Sequence, residues 1–205
     1  MTAGIVSSRE KVAREAATLL YSGIEKEYKQ AKLKAAKTYG LHYLPTNLEV
    51  AVELDKIAEE NEGSTRQDRL VCMRKEALKT MKLLAKYDPV LVGSVWRGTI
   101  HRDSDIDIIV HYSEPEDVAK ALEQSGLKVL RTQWAAVTKH GKKKGSFHIY
   151  LKSPVGEEIE IIVHSPEEAC LKEKCEIYGD DVSGLRIQEL EKTMKESPTQ
   201  RFVPF

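Results

Sequence analysis

The sequence predicts an α+β protein, a helical N-terminal segment followed by a β-sheet flanked by helices. Three observations carry this. From Val12 to Leu84 apolar residues recur every three or four positions, the period of a helix with one buried side. Two Ser/Thr-x-x-Glu signatures, Ser7–Glu10 and Thr46–Glu49, head such stretches. There the side chains satisfy backbone N–H groups that a first helical turn leaves free. After Pro89 the period drops to two, the alternation of strands.

The first helix opens at Ser7-Ser8-Arg9-Glu10 and carries Val12, Ala16, Leu19, Leu20, Ile24 and Tyr28 along one side. It stops at Gly40, which accepts the left-handed turn that closes a helix. A second follows Pro45, with Leu48, Ala51, Val52, Leu54, Ile57 and Ala58, and ends near Gly63. A third starts at Ser64 or Thr65, with Leu70, Met73, Ala77, Met81 and Leu84 on its buried side. Asp88-Pro89 ends it, because a residue before proline is driven out of the helical region.

Val90–Val95, short, apolar and β-branched, predicts a buried strand. Asp105–Val110 predicts a second strand, with Asp105, Asp107 and Ile109 on one face and Ile106, Ile108 and Val110 on the other. A helix over Glu114–Gly126 and a strand over Leu127–Thr132 follow, while Trp134–Thr138 is ambiguous. Phe147–Lys152 and Glu157–His164 read as strands joined by the Ser153-Pro154-Val155-Gly156 turn. Leu185, Ile187, Leu190 and Met194 mark a last helix, and Cys170 and Cys175 are expected in a terminal helix as reduced thiols. The change of period sets the division at a helical segment over 1–62 and a sheet-containing domain over 63–205.

Composition excludes several classes. The chain has 205 residues, 41% hydrophobic and 31% charged, which is the balance of a folded domain and not of a disordered tail. Lys+Arg and Asp+Glu both number 32, so bulk electrostatics would not hold nucleic acid. No apolar run approaches the ~20 residues that span a bilayer, so no membrane is expected. The opening residues lack a basic-then-apolar leader, and Cys72, Cys170 and Cys175 form neither a disulfide framework nor a Cys-x-x-Cys pair. Both predict a reducing cytoplasm.

The chemistry concentrates in the stretch from Val92 to Val110. Gly93-Ser94 leaves a strand and, ten residues further on, Asp105-Ile106-Asp107 begins another. Residues two apart on a strand point the same way with Cα atoms roughly 6.6 Å apart, so both carboxylates can converge on a pair of divalent ions about 3.5–4 Å apart. Without cations they would repel. Ile106, Ile108 and Val110 bury the opposite face and fix this register. Gly93 permits a tight exit from the strand, Ser94 is expected to cap a short helix and face a triphosphate, and Arg97 to supply a cationic fork for phosphate oxygens.

The Gly-Ser, ten-residue gap and Asp-x-Asp pattern resembles the DNA polymerase beta-like nucleotidyltransferase superfamily. The run Gly93–Val110 is most similar to the minimal nucleotidyltransferases and archaeal-type CCA-adding enzymes, which favour Gly-Ser-x-x-Arg-Gly-Thr. The likeness is specific over about 18 residues, looser from Thr65 to His164, and says nothing of residues 1–62. It implies a mixed sheet and a third carboxylate on a later strand, for which Glu160 is the choice and Glu158 the fallback. It also implies Mg²⁺ or Mn²⁺ held by Asp105, Asp107 and Glu160, an NTP at Gly93, Ser94 and Arg97, and transfer of a nucleoside monophosphate to an acceptor hydroxyl with release of pyrophosphate. The acceptor would be an RNA end, a partner protein or a small molecule. The alternative is a non-catalytic NTP-binding or scaffolding module with the same fold.

Other features weigh less. The basic run Lys139–Gly145 reads as a solvated turn that keeps a sheet edge soluble, or as a contact for an acceptor or the triphosphate. His148 and His164 lack a third nitrogen or sulfur ligand at suitable spacing for zinc.

Overall fold

The computed structural model describes residues 7–139, 142–171 and 174–204. Where one helix is predicted up to Gly40, the chain forms two, α1 (Ser8–Tyr21) and α2 (Tyr28–Thr38). The break lies at Gly23, where φ is 71° and the N–H bonds to the Leu20 carbonyl at 3.0 Å. A left-handed glycine ends the helix as it would at any helix terminus, and Ile24 beyond it is exposed instead of buried. Both capping boxes form, at Ser7 and Thr46. The second opens α3 (Asn47–Glu62), and Gly63 alone, at φ 53°, separates α3 from α4 (Ser64–Leu83). Helices α1 to α3 enclose an apolar core of their own, built from residues such as Val12, Ala16, Ala31, Ala35, Val50 and Ile57.

The rest is a six-stranded sheet with helices against it. The strands are β1 (Val90–Val92), β2 (Ile106–His111), β3 (Val129–Lys139), β4 (Lys142–Lys152), β5 (Glu158–His164) and β6 (Leu185–Arg186). Their order is β3-β4-β5-β2-β1-β6. Only β2 and β5 pair in parallel; the other neighbours are antiparallel. The helices are α5 (Gly93–Arg97), α6 (Pro115–Gln124) and α7 (Ile187–Glu196). The fold is thus α+β with a mixed sheet.

Three sequence expectations need correction. The strand predicted over Val90–Val95 ends at Val92, because Gly93, at φ 70°, turns the chain into α5, where Val95 is buried as a helical residue. The ambiguous Trp134–Thr138 belongs to β3. Cys170 and Cys175 lie outside any helix, just past a short 3₁₀ turn over Pro166–Glu168. Of the basic run, residues 140 and 141 and the side chains of 136–144 lie outside the described residues.

Alternation sorts the sheet into two faces. Ile106, Ile108 and Val110 of β2, Ile159, Ile161 and Val163 of β5, and Phe147, Ile149 and Leu151 of β4 are buried in one core with residues of α4, α6 and α7. Each such side chain contributes about 1.5–3 kcal/mol by burial. A one-residue slip of β2 would therefore expose three of them and bury two aspartates, which fixes which face carries the acids.

Arg74 of α4 is fully buried and donates to four carbonyls: Val95 at 3.1 Å, Trp96 at 2.8 Å, Pro198 at 2.7 Å and Gln200 at 2.8 Å. It joins α4 to α5 and to the segment after α7. Arg66 of α4 performs a similar service between α3 and the loop that follows α5. It donates to the Ile100 carbonyl at 2.7 Å and to Glu59 at 3.0 Å, and pairs with Asp55. No described helix is long and apolar enough to cross a membrane.

Candidate active site

One cross-strand row builds the open face of the sheet. Val92 pairs with Asp107, Asp107 with Glu160, Glu160 with Tyr150, and Tyr150 with Arg131. Directly paired residues share a face, so two acids from the parallel pair β2–β5 stand side by side. Asp105, just before β2, joins them: one carboxylate oxygen from each of Asp105, Asp107 and Glu160 lies within 4.8 Å of the others. All three are half-buried. Glu158, the fallback, is exposed and outside this group.

Burial pushes the Asp107 carboxyl well above the usual carboxylate range, and the neighbouring charges of Asp105 and Glu160 push it further. Asp105 is raised as well, first by burial, then by Glu160 and Glu158, against a lowering hydrogen bond from its own backbone. Among the described residues neither aspartate has a cationic partner. The three converging carboxylates, Glu160 with His148 beside it and the two aspartates with no cation, form an all-oxygen donor set of the kind that suits a hard divalent ion such as Mg²⁺ or Mn²⁺. The residues present therefore fit the metal.

Gly93 shapes the site by what it lacks. A Cβ there would lie 2.0 Å from Asp107 Oδ2, so only glycine lets the carboxylate rest against the turn that leaves β1. Ser94 does not cap α5 as the sequence suggests; Val92 holds the cap position, because the turn at Gly93 starts the helix two residues early. Ser94 stands inside α5, and its carbonyl accepts the Thr99 N–H at 3.0 Å.

Arg97 is not offered to the site as a free fork. Its guanidinium is buried, donates to Asp180 at 2.7 and 3.1 Å and to the Phe202 carbonyl at 3.0 Å, and lies against the rings of Trp96 and Tyr178. The partner is 83 residues away in sequence, so no local pattern announces it.

Sequence reasoning placed His148 near Glu160 but weighed it only for zinc. In the structure its Nδ1 lies 2.6 Å from Glu160 Oε1, and its Nε2 lies 2.7 Å from Ser146 Oγ. Tyr150 stands directly opposite Glu160 across the β4–β5 pair, and burial, then the carboxylate beside it, raises the phenol above its ordinary pKa. From β4, His148 thus orients the third carboxylate. The polar–apolar alternation from Ser146 to Leu151 would have found both residues, since it puts Ser146, His148 and Tyr150 on one face.

The open face is roofed by the helical segment. A cleft of about 830 Å³ is lined by Gly93, Ser94, Asp105 and Asp107 together with Tyr28, Lys29 and Lys32 of α2. A second, of about 750 Å³, reaches Asp105 from the side of Glu157, Glu158 and the α1–α2 turn.

The fold and an acidic site beside a Gly-Ser turn define a class, and the comparisons agree with it. The nucleotidyltransferase domain family matches residues 71–193, and the chain belongs to that family. No curated protein matches the chain in sequence. Solved structures similar to it include a cytoplasmic RNA terminal U-transferase at 13% identity and a TM-score of 0.33, covering 57% of this chain and 34% of that one. The Cid1 poly(U) polymerase is similar in a complex with the UTP analogue UMPNPP (18%, TM-score 0.33, 56% of this chain and 36% of that one). It is also similar with MgGTP bound (17%, TM-score 0.32, 55% and 38%). The chain spans between about a third and two fifths of the length of these enzymes.

Proposed function

We propose that the protein is a divalent-metal-dependent nucleotidyltransferase that moves a nucleoside monophosphate from an NTP to an acceptor hydroxyl. One observation carries the reading: Asp107 and Glu160 are direct partners across the parallel β2–β5 pair, with Asp105 within 4.8 Å of both. Asp105, Asp107 and Glu160 hold the metal. Mg²⁺ or Mn²⁺ supplies Lewis acidity there, lowering the pKa of an acceptor hydroxyl and offsetting charge on the triphosphate.

The chain's own residues do the rest. Gly93 lets the Asp107 carboxylate sit against the turn that faces the nucleotide, and Ser94 lines the same cleft. His148 holds Glu160 in one orientation. Arg97, paired with Asp180, serves to anchor α5 and not to bind phosphate. The acceptor hydroxyl gives its proton to solvent water, its oxygen bonds to the α-phosphorus, and the bond from that phosphorus to the α,β-bridging oxygen breaks, so that pyrophosphate leaves carrying that oxygen. The acceptor is a hydroxyl of an RNA end, a partner protein or a small molecule in the cytoplasm. Against a purely non-catalytic module stands the cost of the site: aspartates raised by burial and mutual repulsion destabilise the fold, and a scaffold gains nothing from them.

The test uses α-labelled ATP, CTP, GTP and UTP with Mg²⁺ or Mn²⁺ and the protein itself, total RNA or lysate as acceptor. Label transfer that disappears in an Asp105→Asn/Asp107→Asn protein is the expected result. Metal-dependent NTP binding with no transfer to any acceptor would favour the non-catalytic reading.

A further inference from the structure

The family match begins at residue 71, so it assigns nothing to α2, yet residues of α2 line the same cleft as Ser94 and the aspartates. Four lysines or arginines line that cleft: Lys29, Lys32, Arg97 and Lys174. Two are already neutralised, Arg97 by Asp180 at 2.7 Å and Lys174 by Asp181 at 2.8 Å. Lys32 is different. It is half-buried, and its ammonium donates to Asn47 Oδ1 at 2.7 Å, a neutral oxygen. Asn47 is itself held by donating its amide to the Glu176 carbonyl at 3.1 Å. Lys29 lies three residues earlier on α2, one helical turn away on the same side, and is exposed. Among the described residues neither lysine pairs with a carboxylate.

The sheet residues of the lining thus bring the carboxylates of Asp105 and Asp107, and α2 brings the ammonium groups of Lys29 and Lys32 beside its N-cap Glu27, while Asp55 of α3 is held by Arg66 and Arg201. A metal-bound triphosphate calls for both kinds of group: some of its oxygens are bound to metal and other anionic oxygens are left over. The volume also suits a nucleotide, since ligand clefts run from about 300 to 1,000 Å³. A lysine, as a point charge on a long mobile stem, can follow a flexible polyphosphate without fixed fork geometry. We propose that Lys29 and Lys32 bind the polyphosphate of the nucleoside triphosphate, so that the helical segment completes the nucleotide site. The inference rests on the nucleotidyltransferase reading above.

The test is calorimetric titration of the full chain, in Mg²⁺, with a non-hydrolysable α,β-methylene ATP and with AMP. A Lys29→Ala/Lys32→Ala protein is expected to bind the ATP analogue about ten-fold or more weakly, with AMP binding unchanged. Lys29→Arg/Lys32→Arg should recover most of the loss. Alanine favours helix, and an unchanged melting temperature will show that α2 is intact. Equal affinity of the alanine and wild-type proteins for the analogue would overturn the assignment, as would an equal loss for AMP. So would weaker binding of a short oligoribonucleotide with ATP-analogue binding intact, which would give the lysines to the acceptor. If the wild type itself shows no metal-dependent binding of the analogue, the nucleotidyltransferase reading fails first. If it binds and the alanine protein binds as well, only the lysine assignment fails.

Discussion

Asp107→Asn is expected to lower nucleotide transfer at least about a thousand-fold, some 4 kcal/mol of barrier, while making the metal-free protein more stable at pH 8. The two effects have one cause. Asp107 is raised well above the ordinary carboxylate pKa by burial and by the charges of Asp105 and Glu160. A folded-state pKa above the unfolded one means that the fold holds the proton more tightly. The stability so gained is full below the ordinary carboxyl value near 4 and is lost as pH rises through the raised value. In the metal-free wild type the melting temperature should therefore fall as pH rises above the ordinary carboxyl value, and added Mg²⁺ should restore it by supplying the missing positive charge. Asparagine removes the titration. Its melting curve should be flatter with pH, insensitive to Mg²⁺, and higher at pH 8 by about 2–4 °C for each kcal/mol of repulsion relieved. Thermal melts at four pH values with and without Mg²⁺ read all three. A wild type whose melting temperature is independent of both pH and Mg²⁺ would contradict the charge account of the site.

Arg74→Ala should give the largest loss of stability of any substitution outside the site. The side chain is fully buried, and burial lowers its pKa to about 10, so it remains charged at neutral pH. Four carbonyls accept from it, two of them in α5. Truncation leaves these acceptors dry and opens a cavity, a cost of about 3–5 kcal/mol or roughly 6–20 °C in melting temperature. Because Val95 and Trp96 follow Ser94 directly, the loosened α5 should also weaken NTP binding. Arg201→Ala, which removes an exposed ion pair with Asp55, is the comparison and should cost at most about 1 kcal/mol. Urea denaturation of both variants measures the difference.

What the sequence made legible was what has a local period. The alternation over Asp105–Val110 announced which face of β2 carries the acids, and the Gly-Ser pair ahead of it announced the turn. The third carboxylate came from the family resemblance, since parity leaves Glu158 on the same face as Glu160; it is the β2–β5 pairing that sets Glu160 beside Asp107. Sequence failed where one glycine decided the path. Gly23 sits inside a run that otherwise continues a helix, and only its left-handed φ shows that the run stops there. It failed again where partners are distant. Nothing near Arg97 predicts Asp180, nothing near Arg74 predicts Pro198 or Gln200, and nothing in α2 marks Lys29 and Lys32 as lining the cleft. These contacts arise from tertiary folding, which no period of 2 or 3.6 encodes.

The most direct measurement is Mn²⁺ binding followed by electron paramagnetic resonance, with the ATP analogue present. The account predicts tight Mn²⁺ binding by the wild type. It also predicts loss of that binding in Asp105→Asn/Asp107→Asn, a weakening of about ten-fold or more in Glu160→Gln, and no change in Glu158→Gln. Equal binding by the wild type and the double aspartate variant would contradict it.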